Sequence, residues 1–573
     1  MKERLLCCLL IAMCWGAEEA NAQKKNRFKK EKERNVRDSY NPYFPVIEPL
    51  LRRETEIREE VPTAPKPTGL SGITAYIQQA ELRVTRYFFE AGTYLSQSKQ
   101  SHAGYGEGGP WPASSVPFWL RSNQYGIVPT GPAAGVLRGG LSTDYKQVAA
   151  TATPGRSVDF GGGLDVVLNV SDRSWQVLVP EAYLKMRLGP FELYGGRRRE
   201  ITGLVDTLLT SGSYIWSGNT LPIPKFQLSI PDYWPARSLV GIKAMYAHGY
   251  FENSRPVVTG GRLHQKALYV RLGRPKSLFK IYGGFNHQVQ WAGYSPYFST
   301  EGRLPDNREA YKYVVLAKSV AGDSLKFGNS FDGGNRVGNH LGSVDVALEL
   351  DLAKSTFLVY RQSVYDDGSL FHMTSLADGL NGISWQNRQP SSAGFFLTNL
   401  NLEYLHTMSQ GGDIFSDDPR YRGRDNYFNH GQYRDGWSYF GRTLGTPFIT
   451  ANTELGQGVF PAGGYFTSNN RVQVWHLGAA GQFIDGVSFM GKVSYSRNGG
   501  TYDVPFDPRL SQLSAYLSIG TTLRFWPGVQ VSGAVGWDRG QLLNDALGLN
   551  LRIRKTWVDH YQKVLTENNL LPR

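Results

Sequence analysis

Beyond residue 22 the chain contains no cysteine: Cys7, Cys8 and Cys14 all fall in the leader. A disulfide scaffold, a thiol nucleophile and a Cys-ligated metal are therefore excluded from the remainder. Also missing after residue 22 is any run of about 18 apolar residues, the minimum for a membrane-spanning helix. If the protein crosses a membrane, it crosses as strands. Catalytic signatures are absent too, with no H-E-x-x-H, no G-x-S-x-G and no phosphate loop carrying Lys and Ser or Thr. The run GYGEGG at 104–109 lacks a strand-to-helix setting and reads as a flexible loop. Paired acids occur at Asp366 and Asp367 and at Asp417 and Asp418, the residue type that hydrolyses glycosides. On Gly-rich turns they read as solvated surface charge. The expectation is a protein that is not an enzyme, with no cofactor and no metal.

The leader itself, MKERLLCCLLIAMCWGAEEANA, sets Lys2 and Arg4 before a short apolar run and ends on Ala20-Asn21-Ala22. That is a secretory signal with an A-x-A cleavage site, so residues 1–22 are read as a signal peptide. Met13 stands before Cys14 where lipidation needs a small residue. The full chain carries a formal charge of +13. Part of that excess is local, in QKKNRFKKEKERNVR at 23–37, and nucleic acid is a poor partner for an exported chain. Residues 23–69 read as a basic, Pro-punctuated arm or linker. The basic run reads first as a solvated tail, with anionic headgroups of outer-membrane lipids, lipid A phosphates, an acidic polymer or a periplasmic or envelope protein as its candidate partners.

What dominates after the arm is alternation with period two. In LSAYLSIGTTLRF, Leu513, Ala515, Leu517, Ile519, Leu523 and Phe525 oppose Ser514, Tyr516, Ser518, Thr522 and Arg524. The same pattern runs through VQVSGAVGW, ALGLNLRIR and VSFMGKVSY. In SVDVALELDL, Asp345, Glu349 and Asp351 recur on one face, which calls for water there. Segments of about ten residues or more, joined alternately by short turns such as Leu188-Gly189-Pro190 and by long polar loops, describe an all-β, antiparallel transmembrane β-barrel with a wet lumen. At about 27 residues per strand and loop, 70–557 holds about 16 to 18 strands. Residues 558–573 are expected to form a C-terminal tail. One stretch resists the strand pattern: SGSYIWSGNTLPIPKFQLSIPDYWP, 211–235, carries four prolines, which a ladder confines to edges, bulges and turns. It is expected to be a loop packed in or across the barrel, with FQLSI as a short paired piece and Tyr214, Trp216 and Trp234 filling space.

The segment EAYLKMRLGPFELYGGRRREITGLVDTLLTSGSYIWSGNTLPIPKFQLSIPDYWPA, with HGYFENSRPV and LHQKALYVRLG after it, resembles the capsule assembly protein family Wzi in its Bacteroidetes form. FWLRSNQYGIVP, DGLNGISW and DNYFNHGQYRDGWSYFGRTLGTPFI extend the resemblance over about 116–557. It implies a barrel of about 18 strands in the cell outer membrane, with short helical elements near the periplasmic mouth. It also implies a lectin-like role, binding and organising capsular or other surface polysaccharide without cleaving it. The arm and the tail depart from the enterobacterial pattern. Two other readings of the chain are an outer-membrane porin or transporter for oligosaccharides and a surface glycan hydrolase.

Sugar recognition needs flat aromatic faces beside carboxylates, amides or guanidinium groups. The richest such segment is 417–442, where the candidate carbohydrate-binding residues are Tyr421, Arg424, Asp425, Tyr427, Arg434, Trp437 and Tyr439. A second candidate is WAGYSPYFSTEG, with Trp291, Tyr294 and Tyr297.

Overall fold

The computed structural model describes residues 81–99, 115–146, 158–171, 174–320, 327, 331–332, 336–366, 374–389, 394–416, 423–456, 459, 464–484 and 486–563. The signal peptide, the basic arm and residues 564–573 lie outside these. Among the described residues eighteen antiparallel strands close one barrel. They are β1 (Glu81–Lys99), β2 (Ala133–Thr143), β3 (Asp159–Val170), β4 (Trp175–Leu188), β5 (Phe191–Arg197) and β6 (Lys225–Trp234). Then follow β7 (Val240–Tyr250), β8 (Arg262–Leu272), β9 (Phe279–Trp291), β10 (Asn339–Asp351), β11 (Ser355–Asp366) and β12 (Gly379–Asn387). The last six are β13 (Phe396–His406), β14 (Val472–Ile484), β15 (Val487–Gly500), β16 (Pro505–Thr522), β17 (Val529–Gly540) and β18 (Asp545–Lys563). Each strand pairs with its neighbours in sequence, and β1 closes the ring on β18 from Glu81 opposite Lys563 to Lys99 opposite Asp545. Among the described residues the barrel sheet has no open edge, as a bilayer demands.

The period-two pattern sorts the side chains as expected. Leu547, Leu551 and Ile553 of β18 face outward and are about half exposed, while Ala546 and Asn550, of the opposite parity, are buried. From Leu547 to Trp557 the outward row covers about 34 Å of strand, or about 25 Å of bilayer at the usual tilt. Aromatics rim this belt at both ends. Phe160, Phe191, Trp234, Phe279 and Trp557 stand outward at the end where β1 starts and β18 stops, and Trp175, Tyr250, Trp475, Tyr495 and Trp537 at the other. An apolar band between two aromatic girdles makes this a multi-pass outer-membrane barrel.

The two ends of the barrel differ. At the end holding the strand termini most connections are short, such as 189–190, 352–354 and 485–486. The opposite end carries the long ones, 100–132, 198–224, 292–338 and 407–471, and by the usual orientation of such barrels it faces outward from the cell. The described α-helices sit there: α1 (Phe118–Arg121) and α2 (Arg308–Leu316). Helix α2 packs on the outer wall, where Ala310 and Val314 meet Val289, Trp291 and Val337. It covers a row of outward histidines on four neighbouring strands, His248, His264, His287 and His340, the last two joined by a 2.9 Å hydrogen bond.

Three expectations need correction. The proline-rich stretch is half loop and half strand, because 225–234 forms the complete wall strand β6 rather than a short piece. Pro231 falls where the β6–β7 ladder breaks, between Ile230 and Trp234, so its missing N–H costs no ladder bond. Trp234 fills no lumen; it is 50% exposed on the lipid face. The inward carboxylates do not face open water either: Asp345 and Glu349 are 1% and 5% exposed. Strand pairing also continues past Trp557 to Lys563, so part of the expected tail is wall.

Candidate functional site

The lumen is filled from the long-loop end. Segment 198–224 descends into it and bonds to strands from β3 round to β15. The Leu204 amide donates to Asp345 of β10 (2.8 Å) and the Tyr214 amide to Gln362 of β11 (3.0 Å). Thr210 and the Ser211 amide both donate to Glu403 of β13, at 2.7 and 2.6 Å. The carbonyls of Leu209, Thr210 and Ile215 accept from His476 of β14 (2.7 Å), Lys492 of β15 (3.2 Å) and Gln288 of β9 (3.2 Å). On the near side Arg199 pairs with Asp165 of β3, and Lys225 of β6 lies 5.2 Å from the Trp216 ring centre. A chain polar enough to satisfy an inward polar wall thus replaces water as its partner.

Two further segments lock onto this plug. The Phe118 amide donates to Asp538 of β17 (2.7 Å) and the Trp119 indole to Ser494 of β15 (3.1 Å), while the Arg121 guanidinium pairs with Glu454. The aromatic core runs through all three: Phe118 against Phe448 (4.8 Å between centroids), and Tyr214 against Phe428 (5.4 Å) and Tyr427 (6.1 Å). Tyr214 and Trp216 therefore fill space in the lumen as expected.

The sequence candidates of 417–442 divide between this core and its surface. Tyr421 lies outside the described residues, as do Asp367, Asp417 and Asp418. Tyr427, Trp437 and Tyr439 are buried, at most 1% exposed, and present no ring face to a sugar. The Tyr427 hydroxyl donates to Asp378 (3.0 Å), and burial beside that carboxylate pushes the phenol well up. Tyr439 accepts from Arg197 (3.0 Å) and is pushed up to about 12 by burial. Asp425 is half-buried, with its amide on the Gln410 carbonyl (2.9 Å). Arg424 is half-buried and pairs with the exposed Asp503 (2.7 Å).

Two carboxylates hold the long loop in place. Asp378 accepts from the Ser409 and Gln410 amides, Tyr427 and His406, at 2.6 to 3.0 Å. Asp435 accepts from the Val257 and Val258 amides (3.2 and 2.7 Å) and stands 3.7 Å from Arg255. Burial lowers the Arg255 guanidinium against the opposing pull of Glu252 and Asp435. Gly436, at φ +60°, passes so close to the Phe428 carbonyl that a Cβ would lie 2.4 Å from it. Nearby, burial holds the His430 imidazole down to about 3.

Arg434 joins the two candidate segments. Its guanidinium carbon lies 3.5 Å from the centre of the Tyr297 ring and 5.2 Å from that of Tyr465. Around it Gln432 donates to the Phe298 carbonyl (2.9 Å), Ser295 to the Gln432 carbonyl (2.7 Å) and Tyr433 to the Ala292 carbonyl (3.3 Å). Phe298 stacks on Phe331 at 5.2 Å. A second stack forms where Arg471 lies 3.8 Å over Tyr502, with Arg424 at 5.7 Å from the same ring. Tyr294, Phe298 and Phe440 are exposed at this mouth, at 51%, 55% and 49%. Tyr465, Arg471 and Tyr502 were not legible as site residues, because no spacing connects them to 434 or 297. Among the described residues no group of three or more His, Asp or Glu side chains is arranged to hold a metal ion.

No family model and no curated relative matches the chain. Its fold is similar to that of outer-membrane porins. OccAB4 of Acinetobacter baumannii aligns over 84% of this chain and 99% of its own, at 10% identity and a TM-score of 0.40. For OccK7 (OpdD) of Pseudomonas aeruginosa the values are 84%, 99%, 13% and 0.37, and for OccK3 (OpdO) 83%, 96%, 10% and 0.38. Likeness at this level carries no functional argument.

Proposed function

We propose that the protein binds and organises surface polysaccharide at the outer membrane, in the manner of the Wzi family, without cleaving it. The observation that carries this reading is the plug: a lumen bonded across from β3 to β15 by one inserted segment leaves the mouth as the working surface. There the Arg–Tyr stacks and exposed aromatics of 294–298, 434, 465 and 471–502 offer the flat faces and fork-shaped donors that sugars use. Tyr427, Trp437 and Tyr439 serve this surface from beneath, by holding the loop that carries Arg434.

The second reading is a channel for oligosaccharides. It requires the plug to move. A strain lacking the gene separates the two. If polysaccharide shifts from cells to medium while total polymer is unchanged, the protein retains it. If attachment is unchanged and oligosaccharide uptake falls, the channel reading replaces the binding one.

A further inference from the structure

The charges at the mouth are arranged unequally. Of the carboxylates at this end, Glu301, Asp306 and Asp413 stand exposed, whereas Asp378, Asp435 and Glu454 turn inward, at most 8% exposed and bonded to the loops they hold. Arg434 and Arg471 are the converse. Each is half-buried against tyrosine, each donates through Nε to a carbonyl (Gly431 at 3.4 Å, Met408 at 3.2 Å), and neither has a carboxylate within ion-pair distance among the described residues. A guanidinium held flat on a ring keeps its edge donors in a fixed plane, which suits a carboxylate taken in fork geometry. Hydroxyls of a neutral sugar gain less from a fixed charge than an anionic group does.

Resting on the glycan-binding reading above, we infer that the ligand class is an acidic polysaccharide bearing sugar carboxylates, with Arg434 on Tyr297 and Arg471 on Tyr502 as two carboxylate subsites. Arg424 belongs to the second subsite. Its pairing with Asp503, itself 72% exposed, is a surface ion pair that an incoming carboxylate replaces at little cost. Where the carboxylates of one chain span both subsites, the second contact forms at high effective concentration. The interaction weakens with salt, as exposed charge pairs do.

The test uses the full-length protein in detergent and two polymers of similar size, polygalacturonate and dextran, at low salt and at high salt. Expected is at least about tenfold tighter binding of polygalacturonate at low salt, a preference that high salt and the double variant R434Q/R471Q both erase. R434K should recover only part of it, since it keeps the charge and loses the stack. Polygalacturonate with its carboxyls reduced to alcohols gives the same comparison on unaltered protein, so a poorly folded variant leaves the outcome readable. Equal binding of both polymers, unmoved by R434Q/R471Q, overturns the acidic class and leaves glycan binding standing. Binding of neither polymer, nor of polysaccharide purified from the cell's own surface, overturns the inference together with the function beneath it.

Discussion

Replacing Glu403 by Ala should free the plug from one wall of the barrel. Glu403 is 1% exposed on β13 and accepts from the Thr210 hydroxyl at 2.7 Å and the Ser211 amide at 2.6 Å, as well as from Tyr360. Hydrogen bonds to a buried charged acceptor are each worth about 1.5 to 3 kcal/mol, so the two plug bonds contribute about 3 to 6 kcal/mol of docking. The bonds to Asp345, Gln362, His476 and Gln288 remain, so E403A should open the segment locally rather than expel it. At about 1.4 kcal/mol per factor of ten, amide exchange at 209–214 should quicken by about 10² to 10⁴. Hydrogen exchange read by mass spectrometry on the detergent-solubilised protein measures this directly. E403Q keeps an acceptor and should fall between. Unchanged protection at 209–214 in E403A would refute the claim that these bonds hold the plug.

Other perturbations test other joints. D435A leaves Arg255, 5% exposed, beside Glu252 alone and should loosen 251–261 by about 3 to 5 kcal/mol; protease nicking there should appear, and R255M in the same background should suppress part of it. His430, held near 3 in the fold against about 6.5 unfolded, binds fewer protons folded than unfolded between those values. Its contribution is therefore complete above about pH 6.5 and declines as pH falls toward about 3, by up to about 1.4 kcal/mol per unit; local exchange around 429–434 should show that slope, and H430Q should flatten it. L551R puts a charge at mid-belt on β18 and should destabilise insertion into bilayers by about 2 to 4 kcal/mol, read as a shifted urea folding midpoint.

The wall was legible because its physics is local. Leu547, Leu551 and Ile553 against Ala546 and Asn550 set inside and outside within one strand, and neighbours pair in sequence order, so strand number follows from length. The proline-rich stretch was only half legible: alternation through Phe226, Leu228 and Trp234 continues across Pro231, but whether the ladder breaks there depends on its partner β7. Of the interior, only that a proline-rich loop fills it with Tyr214 and Trp216 was legible; its partners were not. That Asp345 meets the Leu204 amide, or that Arg434 meets Tyr297, depends on contacts over more than a hundred residues, which no window along the chain contains. Candidates chosen for aromatic richness accordingly mixed core with surface. Tyr427 and Trp437 share composition with a sugar platform, but once β13 and β14 carry the loop over the lumen their rings are buried.

The most direct test of the plugged barrel as a surface binder is conductance of the purified wild-type protein in planar bilayers. The account predicts a silent bilayer across the physiological voltage range, with steps appearing only when the bonds of 204–216 are removed. Steady steps from the wild-type protein, blocked by oligosaccharide, would contradict it and make the channel reading the better one.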